Sequence, residues 1–177
     1  TPPTLEQRIA IEVGLGDVRS FLGEYDAALG HYDEALETLR AGTPAPAWRL
    51  TDVQRKAARC WERRGQYDRA TMLLTEALGA LRGAGEPADV LERARAQSDL
   101  GWVAFRQGDM DSAAAWTRAA LADMEQSGSR QDVAAACNRL SGICYQQGQW
   151  EAAARYAERG LELREKIGYT YGVAMSY

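Results

Sequence analysis

The chain is poor in the residues that build reactive sites. Among its 177 residues there is one histidine, His31, with two phenylalanines and three cysteines. A lone histidine without ligand-spaced neighbours offers neither a metal centre nor a His-based acid/base pair, so no cofactor and no metal are expected. Cys60, Cys137 and Cys144 are odd in number and widely spread. Such a set is no disulfide framework and suits a reducing, cytoplasmic compartment. Cys137 and Cys144 stand seven apart on one helix face, roughly 10 Å, too far to bridge. Basic excess is also missing: 21 Lys and Arg against 25 Asp and Glu leave a net charge of −4. This argues against direct nucleic-acid binding. No apolar run approaches the roughly 18 residues of a membrane helix. Thr1-Pro2-Pro3-Thr4 leads straight into an amphipathic stretch with no signal-peptide pattern.

What is present is repetition. Gly23-Glu24-Tyr25-Asp26-Ala27-Ala28 returns as Gly65-Gln66-Tyr67-Asp68-Arg69-Ala70, as Gly108-Asp109-Met110-Asp111-Ser112-Ala113 and as Gly148-Gln149-Trp150-Glu151-Ala152-Ala153. A period of roughly 40 residues means stacked supersecondary units. Before each glycine, apolar or small residues recur with helical spacing: Ile11, Leu15 and Val18; Val53, Ala57 and Cys60; Ala96, Leu100 and Val103; Ala136, Leu140 and Ile143. After it, Ala28, Ala70, Ala113 and Ala153 begin a second stripe that reaches Leu36, Leu78, Leu121 and Leu161. Glycine stops the first helix, the acid three places on opens the second, and the short link folds the two into an antiparallel pair. Gly16 and Gly101 sit where the paired helices cross.

The pattern predicts units over about 5–40, 51–82, 89–126 and 130–166, all within a single solenoid spanning 1–177. Thr51 with Gln54 reads as a capping box opening the second unit. Charge at Glu12 and Arg19 suggests that unit one is an end cap. Residues 167–174 resemble 127–134, so a truncated fifth unit is expected at 170–177. Gly14-Leu15-Gly16 is no phosphate loop, because Arg19 replaces the third glycine and no strand precedes it.

Leu15-Gly16, Leu100-Gly101, the Gly-x-Tyr-Asp-x-Ala motif at Gly23 and Gly65, and the alanines Ala35, Ala77 and Ala120 resemble the tetratricopeptide repeat family. The departures are the long period, Met110 and Trp150 in place of tyrosine, and Gly160 in place of the last alanine. The longer period resembles that of large bacterial regulators. The resemblance implies an all-α, right-handed α-solenoid of antiparallel helix pairs, with a concave groove lined by the first helices. The implied function is a non-enzymatic interaction scaffold, cytoplasmic and part of a larger bacterial regulatory protein. The alternative is a ligand- or peptide-sensing arm that gates an attached cyclase, ATPase or DNA-binding domain.

Counting back from each motif glycine gives the groove lanes that the resemblance implies. They present Ala10, Val13, Gly14, Asp17 and Ser20 in the first unit, then Asp52, Arg55, Lys56, Arg59 and Glu62. The third unit offers Arg95, Ser98, Asp99, Trp102 and Phe105; the fourth offers Ala135, Asn138, Arg139, Gly142 and Tyr145. Arg55, Arg59, Arg95, Ser98, Trp102, Asn138, Arg139 and Tyr145 are the candidate site. Arginine forks beside an indole suit a peptide or protein segment that is acidic. Arg59 and Trp102 stand where a chaperone-tail clamp would have asparagine, so chaperone binding is not expected. No membrane partner is expected, and self-association would use the truncated C-terminal end.

Overall fold

The computed structural model describes residues 3–42, 45–83, 85–127 and 129–168. Among them are eight α-helices and no strand: α1 (Leu5–Phe21), α2 (Tyr25–Ala41), α3 (Ala47–Arg63), α4 (Tyr67–Ala80), α5 (Pro87–Gln107), α6 (Met110–Ser127), α7 (Arg130–Gln146) and α8 (Trp150–Lys166). The all-α class of helical-repeat solenoids expected from the sequence is the class found. The chain divides into two compact units, Thr1–Ala84 with α1 to α4 and Gly85–Tyr177 with α5 to α8. No helix of the described residues is long and apolar enough to cross a membrane.

The motif is the corner of each pair. Gly23, Gly65, Gly108 and Gly148 all have φ between +72° and +85°, a left-handed conformation that only glycine takes without strain. Each corner closes the same two backbone bonds. At the first, the Gly23 amide donates to the Ser20 carbonyl and the Glu24 amide to the Arg19 carbonyl; the pattern repeats at Gly65, Gly108 and Gly148. This Schellman geometry satisfies the last carbonyls of the first helix. Asp26, Asp68, Asp111 and Glu151 then fall in the first turn of the second helix, as expected.

Within a pair the helices touch through small residues. Seven places before the corner stand Gly16, Ala58, Gly101 and Ser141. A Cβ on Gly101 would lie 2.4 Å from the Thr117 hydroxyl, and one on Gly16 would lie 2.5 Å from the Tyr32 ring. Ser141 Oγ donates to the Ala153 carbonyl at 2.9 Å. The matching alanines of the second helices, Ala28, Ala70, Ala113 and Ala153, are all buried.

Two expectations need correction. Thr51 is no N-cap: α3 begins four residues earlier behind Pro46, and Thr51 is fully buried inside it. Proline before the first turn loses no helix bond, so the helix extends to it. Gln54 is fully buried as well and caps nothing. The stripe of α1 is not core either, with Ile11, Leu15 and Val18 all 43% exposed or more. The equivalent residues of α3 pack on α2, and those of α7 on α6. Among the described residues α1 touches only α2 and α3, which leaves that stripe uncovered. The expected fifth unit lies outside the described residues.

The cysteines are free and buried, and burial pushes the Cys60 and Cys137 thiols up from their ordinary range. Ellman's reagent at neutral pH should therefore react slowly with the native chain and reach three thiols on unfolding. Fast native reaction would contradict this packing. Gly101→Leu should overpack the α5–α6 crossing and cost about 1–3 kcal/mol in urea unfolding. Gly142→Ala, where a Cβ meets nothing within 4 Å, should stabilise by up to about 1 kcal/mol.

Candidate functional site

The site in the second unit is built on α5 and α7, two first helices that lie in contact. On α5, Trp102 and Phe105 stand one turn apart. Their rings stack with centroids 5.4 Å apart and planes 16° from parallel. Across from them α7 brings Asn138, Arg139 and Gly142. Gly101, Thr117 of α6 and Ile143 complete a cavity of about 240 Å³. Thr117 and Ile143 are buried, while Trp102, Phe105, Asn138 and Arg139 are half-buried and Gly142 is exposed. The cavity is thus open to solvent on the side of α5 and α7.

Arg139 ties the two helices together. Its guanidinium donates to the Ser98 carbonyl and, at 2.8 Å, to Ser98 Oγ. It lies 3.8 Å from Asp99 and 5.7 Å from the Trp102 ring centre. Ser98 and Asp99 are buried, so these charge-assisted bonds work in a low-dielectric setting. Asn138 is held from behind. Arg164, itself buried, donates to Asn138 Oδ1 at 2.9 Å. A Cβ on Gly160 would come within 3.3 Å of that oxygen, so the glycine that departs from the repeat pattern gives Asn138 its room.

The other candidate residues sit elsewhere. Arg95 pairs with Glu92 at 2.8 Å and Asp132 at 3.1 Å. Tyr145 is exposed and meets the Trp150 ring edge-on at 4.9 Å. Arg55 and Arg59 belong to α3 in the first unit, where Arg55 is buried against Asp52 at 3.0 Å. Lys56 bridges Asp17 at 2.7 Å and Asp52 at 3.6 Å. Arg55, Arg95 and Arg139 therefore each have a carboxylate of the same chain beside them.

The first unit has its own cleft of about 320 Å³, where Ala10, Val13, Gly14 and Asp17 of α1 face Trp48, Asp52 and Val53 of α3. Tyr32 donates its hydroxyl to Asp17 at 2.8 Å; burial and that carboxylate hold the phenol far above its ordinary pKa. His31 is half-buried, with Nδ1 2.8 Å from Glu12, so it joins α1 to α2. Sequence reasoning missed Thr117 of the α5–α7 cavity and, in the first unit's cleft, Trp48 and its neighbour Arg49. Thr117 lies nine places after Gly108, where Tyr32 lies after Gly23; that offset marks the residue under each crossing glycine and could have revealed it. Trp48 and Arg49 were lost by starting α3 at Thr51.

Arg139→Met should cost about 1–3 kcal/mol in chemical unfolding, because Ser98 and Asp99 stay buried without that donor. A loss below about 0.5 kcal/mol, the usual size of a neutral surface change, would show that the α5–α7 tie carries no stability.

The family model for the tetratricopeptide repeat matches residues 92–166. No curated protein matches the chain. Among solved structures it is similar to aspartyl phosphate phosphatase F from Bacillus subtilis, at 16% identity and a TM-score of 0.88, covering 99% of this chain and 45% of that one. It is similar to the Rap conjugation gene regulator of plasmid pLS20 in complex with the Phr* peptide, at 18% identity and 0.74, covering 97% and 48%. The apo form of the quorum sensor NprR from B. thuringiensis follows at 17% identity and 0.79, covering 95% and 46%. The chain spans about half the length of these three proteins, and at such identities the likeness is one of fold. With the repeat model matched over 92–166 and the same glycine-cornered helix pair in both units, the chain has a tetratricopeptide-repeat-like fold.

Proposed function

We propose that the chain is a non-enzymatic recognition module that takes a peptide or short partner segment on the open side of α5 and α7. The observation that carries this reading is the Trp102–Phe105 stack, half-buried beside an open cavity. Large aromatic rings at a half-buried site are typical anchors of protein recognition. A fold-level neighbour was solved with a peptide bound, and another is described as a quorum sensor. Among the described residues the cavity is lined by no carboxylate, histidine or cysteine, which suits binding. The phosphatase name of one neighbour comes with 16% identity and brings no residue with it.

The partner reading has two finer parts. An acidic segment would meet Arg139 at the rim, in competition with Ser98 and Asp99. The setting would be the cytoplasm of a bacterium, in keeping with free buried cysteines and bacterial fold neighbours. The second reading is a peptide-sensing arm that regulates an attached domain, favoured by the quorum-sensor neighbour.

A random dodecapeptide library panned against the chain tests the proposal. Peptides should be enriched, and Trp102→Ala should weaken them about tenfold or more, as expected for a lost aromatic anchor. No enrichment, or peptides indifferent to Trp102→Ala, defeats the reading. Raising salt to about 1 M, where the Debye length falls to about 3 Å, should weaken an acidic peptide and spare an apolar one.

A further inference from the structure

We infer that the hollow above Gly142 receives one bulky apolar side chain of the bound segment, and that the missing side chain at this position sets the size it accepts. The inference rests on the peptide-recognition reading and names the chemistry of that same site.

Gly142 is a glycine without a structural need. It lies inside α7, where glycine is the least favourable residue after proline. Its φ is not positive, so no turn demands it. A Cβ there would meet nothing within 4 Å, so no close packing demands it either. Gly101 shows the contrast, since a Cβ there would strike Thr117 at 2.4 Å. Six places before the other three corners stand Asp17, Arg59 and Trp102, all with side chains. What glycine leaves at 142 is open space facing Trp102 and Phe105.

The walls decide what fits. Two stacked rings and buried Ile143 offer apolar surface. The cation at the rim, Arg139, is already bonded to Ser98 and lies near Asp99. An ionised side chain entering here would lose hydration and find, besides Arg139, only the neutral amide of Asn138. A leucine-, methionine- or phenylalanine-sized group would gain by burial against the rings. The volume agrees: about 240 Å³ is below the roughly 300 Å³ at which pockets for drug-sized molecules begin. It has room for a single side chain.

The test pans the same random dodecapeptide library on the native chain, on Gly142→Leu and on Gly30→Leu. Gly30 is an exposed position of α2 whose added Cβ also meets nothing within 4 Å. Peptides from the native chain should share one Leu, Ile, Met or Phe position, and replacing it by Ala should weaken binding about tenfold or more. Gly142→Leu should lose those peptides to a similar degree with a thermal midpoint no lower than that of the native chain, and Gly30→Leu should keep them. Peptides that bind Gly142→Leu as tightly as the native chain would overturn the inference while leaving peptide recognition standing. Absence of any enriched peptide would overturn both.

Discussion

The close approach of the two helices in each pair is the constraint on which the rest depends. Gly16, Ala58, Gly101 and Ser141 keep each crossing narrow, Gly16 under the Tyr32 ring and Gly101 against Thr117, and the second helix brings a buried alanine each time. The glycine corner then fixes where the crossing falls along the helices, because its left-handed residue and two backbone bonds allow one way round the turn. Crossing and corner together set the rotation of each first helix. That rotation decides which residues are packed and which face outward.

In the second unit the outward set is used twice. Polar residues tie first helices to each other and to their neighbours: Arg139 to Ser98, Arg95 to Asp132, Arg164 to Asn138. The apolar members, Trp102 and Phe105, stay half-buried beside the space that Gly142 leaves. The arginines suggest an acid-binding surface when read as a string of letters. In the folded chain Arg55, Arg95 and Arg139 stand beside Asp52, Glu92 with Asp132, and Asp99. The ring stack and its hollow are the feature on which the proposed recognition rests.

Much of this was legible in the sequence because repetition turns one motif into a ruler. The corners, the acids that open the second helices and the buried alanines all lie where the motif puts them. Counting back from Gly108 and Gly148 finds Trp102, Phe105, Asn138, Arg139 and Gly142, which share one cavity. The failures come from contacts that no local pattern encodes. Thr51 has the chemistry of a cap, but Pro46 extends the helix past it. Ile11, Leu15 and Val18 have the spacing of a core stripe, yet their burial depends on a neighbouring helix that α1 does not meet among the described residues. The ion-pair partners of the arginines come from a turn away or from the next first helix. Charge counting along one lane does not see them.

The five tryptophans lie on four helices: Trp48 and Trp61 on α3, Trp102 on α5, Trp116 on α6 and Trp150 on α8. Their indole N–H signals therefore report separately on first and second helices in one nitrogen-edited NMR spectrum. Adding a library-selected peptide tests most directly whether recognition uses the first-helix face of the second unit. The Trp102 signal should shift or broaden while Trp116 on α6 stays unchanged. A peptide that perturbs Trp116 and leaves Trp102 unmoved would place binding on the second helices and contradict the account.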